Sequence, residues 1–215
     1  MSTKAKQRPD FHDLYMTASL QLGLFTAQQA VEAGYSRPSH SYHVKKGDWV
    51  REDRGIYRLR YFPYHGWQDI MQVYLWSSDI NGKPQGVISH DTALRVHDLS
   101  TWVGCTDYYY LTVPKNFRRR GQTLFQLRLH YDQIPESEME ERNGFIVTKP
   151  LRTILDLLFE QRLERRHVKD ALRDALDKYL ILPQDISSLS LPDDKREELK
   201  QFLRFVGNPV VQNLL

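Results

Sequence analysis

Arg37, Ser39, Ser41, Tyr42, Lys45 and Lys46 crowd one short stretch near the N-terminus, preceded by Ser36 and followed by Arg51, Arg54, Arg58 and Arg60. Guanidinium, ammonium and hydroxyl groups at this density are the donors that phosphate oxygens take, and Arg, Ser and Tyr can also reach base edges. The charge is unevenly spread. Residues 1–65 hold ten Lys and Arg against six Asp and Glu, a net +4, whereas residues 66–215 hold twenty against twenty-one, a net −1. Such asymmetry points to an anionic partner for the first third. A merely solvated cationic surface is the alternative that charge alone leaves open.

A second basic group, Lys115 with Arg118, Arg119 and Arg120 before Gly121, puts four cations in six residues. These repel one another unless an anion is near. The segment is either a second DNA contact, a partner-binding loop or a solvated hairpin loop. His40 and His43 have HxxH spacing, but without an HExxH motif or a cysteine pair they fit a half-buried helix face better than a metal site. No metal or other cofactor is expected.

Other residues could suggest catalysis. Asp193, Asp194, Glu198 and Lys200 offer carboxylates and a lysine, as metal-dependent nucleases require. Their spacing, however, turns Leu199, Phe202 and Leu203 inward on a helix and leaves the carboxylates as helix-start charges. There is no Gly-rich phosphate loop and no Gly-x-Ser-x-Gly elbow. Ser89 suits a helix cap, His90 and His97 suit structural roles, and Arg152 with Asp156 is an ordinary i,i+4 pair. The chain is therefore expected to bind rather than catalyse.

Composition sets the frame for these groups. At 40% hydrophobic, 12% aromatic and 27% charged residues, the chain can bury a core and is not disordered. No apolar run approaches the ~20 residues of a spanning helix, and Met1–Asp10 lacks a signal-like apolar segment. A lone Cys105 forms no internal disulfide and fits a reducing compartment. A cytoplasmic protein with no membrane contact is expected.

The elements that must position the basic groups follow from periodicity. Leu14, Ala18 and Leu22 recur at helical spacing up to Gly23. Thr26-Ala27-Gln28-Gln29 has the form of a capping box, opening a helix that ends at Gly34. Ser36 caps a third segment with Pro38 in its first turn, ending at Gly47. Trp49–Glu52 and Ile56–Leu59 flank a glycine turn as a hairpin. At ~100° per residue, His40, His43, Val44 and Gly47 share one face of the third helix. Ser41, Tyr42, Lys45 and Lys46 point the other way, with Arg37 and Ser39 at the flanks.

Helix, helix, helix and basic hairpin form a winged helix-turn-helix over residues 1–62. Arg37, Ser39, Ser41 and Tyr42 are placed for bases or nearby phosphates, Lys45 and Lys46 for phosphates, and Arg51, Arg54, Arg58 and Arg60 for wing contacts. Ser36 and the helix start offer further phosphate donors. After Pro63–Gly66 a larger domain, residues 66–215, is expected: helices near Trp67–Tyr74 and after Ser89, strands at Tyr108–Val113, Phe125–Tyr131 and Gly144–Thr148, then helices from Pro150, Glu164 and Asp194. The fold class is α+β, with a small central sheet and C-terminal helices.

Several blocks resemble AbiEi-type antitoxins, regulators of bacterial abortive-infection, type IV toxin–antitoxin operons of phage defence. In the N-terminal part these are Gly23-Leu24-Phe25-Thr26, Ala30, Gly34-Tyr35-Ser36, Gly47 and Arg54-Gly55-Ile56-Tyr57-Arg58-Leu59. Further on they are Ile88–Leu94 with His97 and Leu99-Ser100, Leu111-Thr112-Val113-Pro114, and Gly144–Leu157. The family commonly has aliphatic residues where His40 and His43 stand.

The resemblance implies a winged domain that binds inverted repeats in its own promoter as a repressor. It implies a C-terminal domain that counters a nucleotidyltransferase-like toxin, in a family whose members act without a stable toxin complex. A monomer in solution with two copies per operator would suit inverted repeats. The alternative is a stand-alone winged-helix transcription factor with a ligand-sensing or assembly domain.

Overall fold

The computed structural model describes residues 8–99, 108–119, 121, 123–161, 163–211 and 214. Cys105 and Arg120 lie outside the described residues. The fold is mixed α+β, and the chain divides into two compact units. The first comprises Met1–Val87, Leu111–Gln133 and Glu141–Ile146; the second comprises Ile88–Tyr110, Ile134–Glu140 and Val147–Leu215.

In the first unit, α1 (Phe11–Ser19) starts at Asp10, whose carboxylate accepts from the backbone N–H groups of His12 and Asp13. Leu22 and Gly23 then take positive φ, 55° and 86°, and turn the chain sharply. The segment expected to continue the helix as far as Gly23 instead leads into a strand, β1 (Leu24–Thr26). Two consecutive left-handed residues cannot extend a right-handed helix, and Gly23 adopts this conformation without cost.

The capping box is present in full. Thr26 Oγ1 accepts from Gln29 N at 3.2 Å, and Gln29 Oε1 accepts from Thr26 N at 2.8 Å, opening α2 (Ala27–Glu32). A 3-10 turn, Arg37–Ser39, leads into α3 (His40–Lys46), which Gly47 ends in the left-handed region. Strands β2 (Trp49–Asp53) and β3 (Ile56–Leu59) form an antiparallel hairpin. β1 adds to β3, giving a three-stranded sheet in the order β1-β3-β2.

One face of this sheet packs on Leu14, Ala18, Ala30 and Tyr35 through Phe25, Trp49 and Leu59. Strand alternation sends Leu24 and Ile56, each 1% exposed, to the opposite face. There α4 (Gln68–Trp76) lies against β1 and β3, and its Gln72 side chain donates to the Glu52 carbonyl at 3.3 Å.

Beyond α4, the strands β4 (Val87–Ile88), β5 (Tyr108–Val113), β6 (Gln126–Tyr131), β7 (Met139–Arg142) and β8 (Phe145–Thr148) form a five-stranded sheet in the order β6-β5-β4-β8-β7. Helix α5 (His90–His97) follows β4. The second unit also holds α6 (Pro150–Phe159), α7 (Arg165–Asp177), α8 (Pro183–Ser187) and α9 (Asp193–Val206). Ile154, Leu158, Val168, Leu172, Leu199 and Phe202 form much of its core. No helix among the described residues is long and apolar enough to cross a membrane.

Candidate nucleic-acid interface

Burial divides the third helix by face. His40 is buried and His43 and Val44 are half-buried, while Ser41, Tyr42, Lys45 and Lys46 are exposed. What holds the inward face is an aromatic cluster. Ring centroids lie 5.4 Å apart for His40 and Trp49, 4.7 Å for His43 and Trp49, and 5.1 Å for Tyr35 and His43. His40 Nε2 is 3.4 Å from the Tyr35 carbonyl, and burial, the main cause, pushes its pKa down. Both histidines of the HxxH pair are thus committed to core contacts.

On the outward side, Arg37, Ser41 and Lys45 recur four residues apart and are all exposed, forming a polar stripe. Tyr42 lies beside it, 60% exposed, its ring 5.4 Å from that of His43. Ser41 Oγ donates to the Pro38 carbonyl, and half-buried Ser39 donates its hydroxyl to the Ser36 carbonyl. Ser36 occupies the cap position of the 3-10 turn, but its side chain makes no capping bond.

The remaining cations are not equivalent. Lys46 Nζ donates to Asp48 Oδ2 at 3.0 Å, and the same oxygen lies 3.1 Å from His43 Nδ1. Hydrogen bonding to Lys46 is the main cause that holds the Asp48 carboxyl below its ordinary range. Arg58 is half-buried, its Nε 2.6 Å from Glu52 Oε1, so its charge is met within the hairpin. Arg51, Arg54 and Arg60 are exposed. Lys46 and Arg60 share an aromatic cleft of about 480 Å³ with Tyr15, Tyr35, Trp49 and Tyr61. Arg37 and Arg54 border a different one.

Of the second basic group, Lys115 and Arg118 are exposed and Arg119 is half-buried. Arg119 Nη1 donates to the Ser78 carbonyl at 2.9 Å, and its Cζ lies 5.1 Å from the centre of the Trp76 ring. The partners of Arg119 are far away in sequence and carry no local pattern, so spacing could not reveal them.

The candidate catalytic residues have structural surroundings. Ser89 occupies the cap position of α5, with its Oγ 2.9 Å from His90 Nδ1. His90 Nε2 is 3.1 Å from Glu160, and His97 Nε2 is 2.7 Å from the Thr148 carbonyl. Arg152 Nε donates to Asp156 at 2.7 Å, the expected i,i+4 pair, and its Nη1 also donates to Glu138 at 2.6 Å. Glu198 accepts from Arg165 and Gln161 on the surface of α9, whose Leu199, Phe202 and Leu203 are buried.

No curated protein matches this chain. Among solved structures, the chain is similar to the RV2827C protein from Mycobacterium tuberculosis, at 12% sequence identity and a TM-score of 0.55, over 98% of this chain and 82% of that one. At that identity the likeness is one of fold. Residues 12–60, which carry the aromatic cluster and the cationic stripe, match the AbiEi_4 family model, a transcriptional regulator and AbiEi antitoxin, the family that the sequence blocks resemble.

Proposed function

We propose that this chain is the antitoxin and transcriptional autorepressor of a type IV toxin–antitoxin operon. Residues 1–62 act as a winged helix-turn-helix on inverted repeats in their own promoter. α3 enters the major groove, and the β2–β3 hairpin lies along the backbone. Residues 66–215 counter a nucleotidyltransferase-like toxin and perform no catalysis. The protein works in the cytoplasm as a monomer that places two copies on each operator.

The observation that carries this reading is the outward stripe of Arg37, in the 3-10 turn, with Ser41 and Lys45 on α3, whose other face is locked to the aromatic core. Such a helix keeps its reading face fixed, and the family match covers the same residues. The test is a mobility shift on the upstream promoter, paired with co-expression of the downstream gene. Replacing Tyr42 and Lys45 with Ala should weaken promoter binding by roughly tenfold or more, as expected for ~1–3 kcal/mol per lost contact. Growth rescue from the downstream toxin should survive. Unchanged promoter binding by that variant would refute the placement of α3 in the groove.

A further inference from the structure

A cleft of about 590 Å³, built wholly within the first unit, is lined by four guanidinium groups among the described residues. Arg37 comes from the turn before α3, Arg54 from the hairpin turn, and Arg118 and Arg119 from the loop after β5. Asp79 is the one carboxylate among the described lining residues. Its Oδ1 accepts from the backbone N–H groups of Asn81 at 2.8 Å and Lys83 at 3.0 Å, which ties it to its own turn.

The four arginines are held in different ways. Arg119 is a strut: stacked on Trp76 and bonded to the Ser78 carbonyl, with burial lowering its pKa. Arg37 Nη2 donates to Gln28 Oε1 at 2.9 Å. Arg118 is exposed, and its Nη1 donates to the adjacent Phe117 carbonyl, which leaves most of its fork of donors turned to solvent. Arg54 has no side-chain hydrogen bond or ion pair among the described residues. Like charges converging on one cleft repel, and an entering anion offsets that cost.

We propose that this cleft clamps a backbone phosphate of duplex DNA, with Arg118 and Arg54 as contacting groups and Arg119 as the residue that positions the Arg118 loop. The proposal rests on the reading of the chain as a promoter-binding regulator and extends its interface to a stretch outside residues 1–62. Duplex DNA fits better than a small free anion because Arg37 belongs both to the cleft and to the stripe that continues through Ser41 and Lys45. A row of donors suits phosphates in series.

The test titrates the full chain on its upstream promoter DNA at several salt concentrations, with folding checked by thermal unfolding. Arg118→Ala should weaken binding roughly five- to tenfold at low salt and lower the salt slope by about one, and Arg118→Lys should restore much of the slope. Arg119→Met, which keeps an apolar chain on Trp76, should weaken binding in a way that adds little to Arg118→Ala, as expected when one residue acts through the other. Lys195→Ala, an exposed cation on α9 outside the cleft lining, should leave the slope unchanged.

An unaltered slope in folded Arg118→Ala that still binds the promoter overturns the clamp and leaves the regulator reading intact. An equal loss of slope in Lys195→Ala reduces the effect to net charge and also overturns it. Arg118-dependent binding of free tripolyphosphate, with promoter binding unchanged in the variants, would assign the cleft to a small anion instead. Absence of promoter binding by the unaltered chain would overturn the regulator reading and the clamp together.

Discussion

His40 places an ionisable ring against the first unit's aromatic core. It is 4% exposed, packed on Trp49 and Tyr57, and 3.4 Å from the Tyr35 carbonyl. Burial disfavours the imidazolium, nearby Arg37 and His43 add to that, and the Tyr35 carbonyl opposes it only in part. With the folded pKa below the unfolded value of about 6.5, the unfolded chain takes up more protons as pH falls. Stability from this site is therefore complete above about pH 6.5 and is lost below it, by at most about 1.4 kcal/mol per pH unit. His40→Leu removes the titration while keeping an apolar group against Trp49. Melting curves at pH 7.5 and 5.5 should show a smaller acid loss in the variant than in the unaltered protein. Equal losses would assign the acid sensitivity to other groups.

α2, the helix before the turn into α3, starts with a local device. Thr26 and Gln29 satisfy one another's backbone donors, and Gln29 also exchanges side-chain hydrogen bonds with Gln21. Thr26→Ala should cost about 1 kcal/mol, the usual loss for a helix cap, with an unchanged denaturant m-value. Urea unfolding would measure it, and a loss near zero would mean that packing alone holds α2.

This box was legible because its signal is four residues long and its bonds are local. The faces of α3 were legible for a similar reason, since 100° spacing separates His40 and Val44 from Ser41 and Lys45. β1, β4 and β7 were not. Strands of two to four residues carry too little alternation to register, and pairing with distant segments decides them. α8 was also hidden, because Pro183 reads as a breaker yet stands in the first turn of a helix. Among the site residues, type and spacing could pick out the arginines but not their pairings. Arg58 meets Glu52 only once the hairpin register is set, and Arg119 meets Trp76 only once the first unit is folded.

At the scale of the molecule, the sequence break at Pro63–Gly66 and the compact units divide the chain differently. The unit that contains residues 1–62 also takes in α4 and segments as late as Ile146. The reason lies in the three-stranded sheet, which has two apolar faces. Phe25, Trp49 and Leu59 are covered by the helices before it, but Leu24 and Ile56 face the side where α4 packs. Gln68 reinforces that packing by donating to the Leu22 carbonyl at 2.8 Å. Cutting the chain after residue 62 would uncover both side chains. At ~1.5–3 kcal/mol for each large aliphatic group, the loss is roughly 3–6 kcal/mol. That is a large part of the ~5–15 kcal/mol that holds a domain folded. A fragment of residues 1–62 should therefore melt broadly and bind promoter DNA far more weakly than the full chain, whereas Leu24→Ala in the full chain should lose stability but keep a cooperative transition. Circular dichroism melts of the two proteins separate these outcomes. A sharp, full-stability transition in the short fragment would show that the sheet does not need α4.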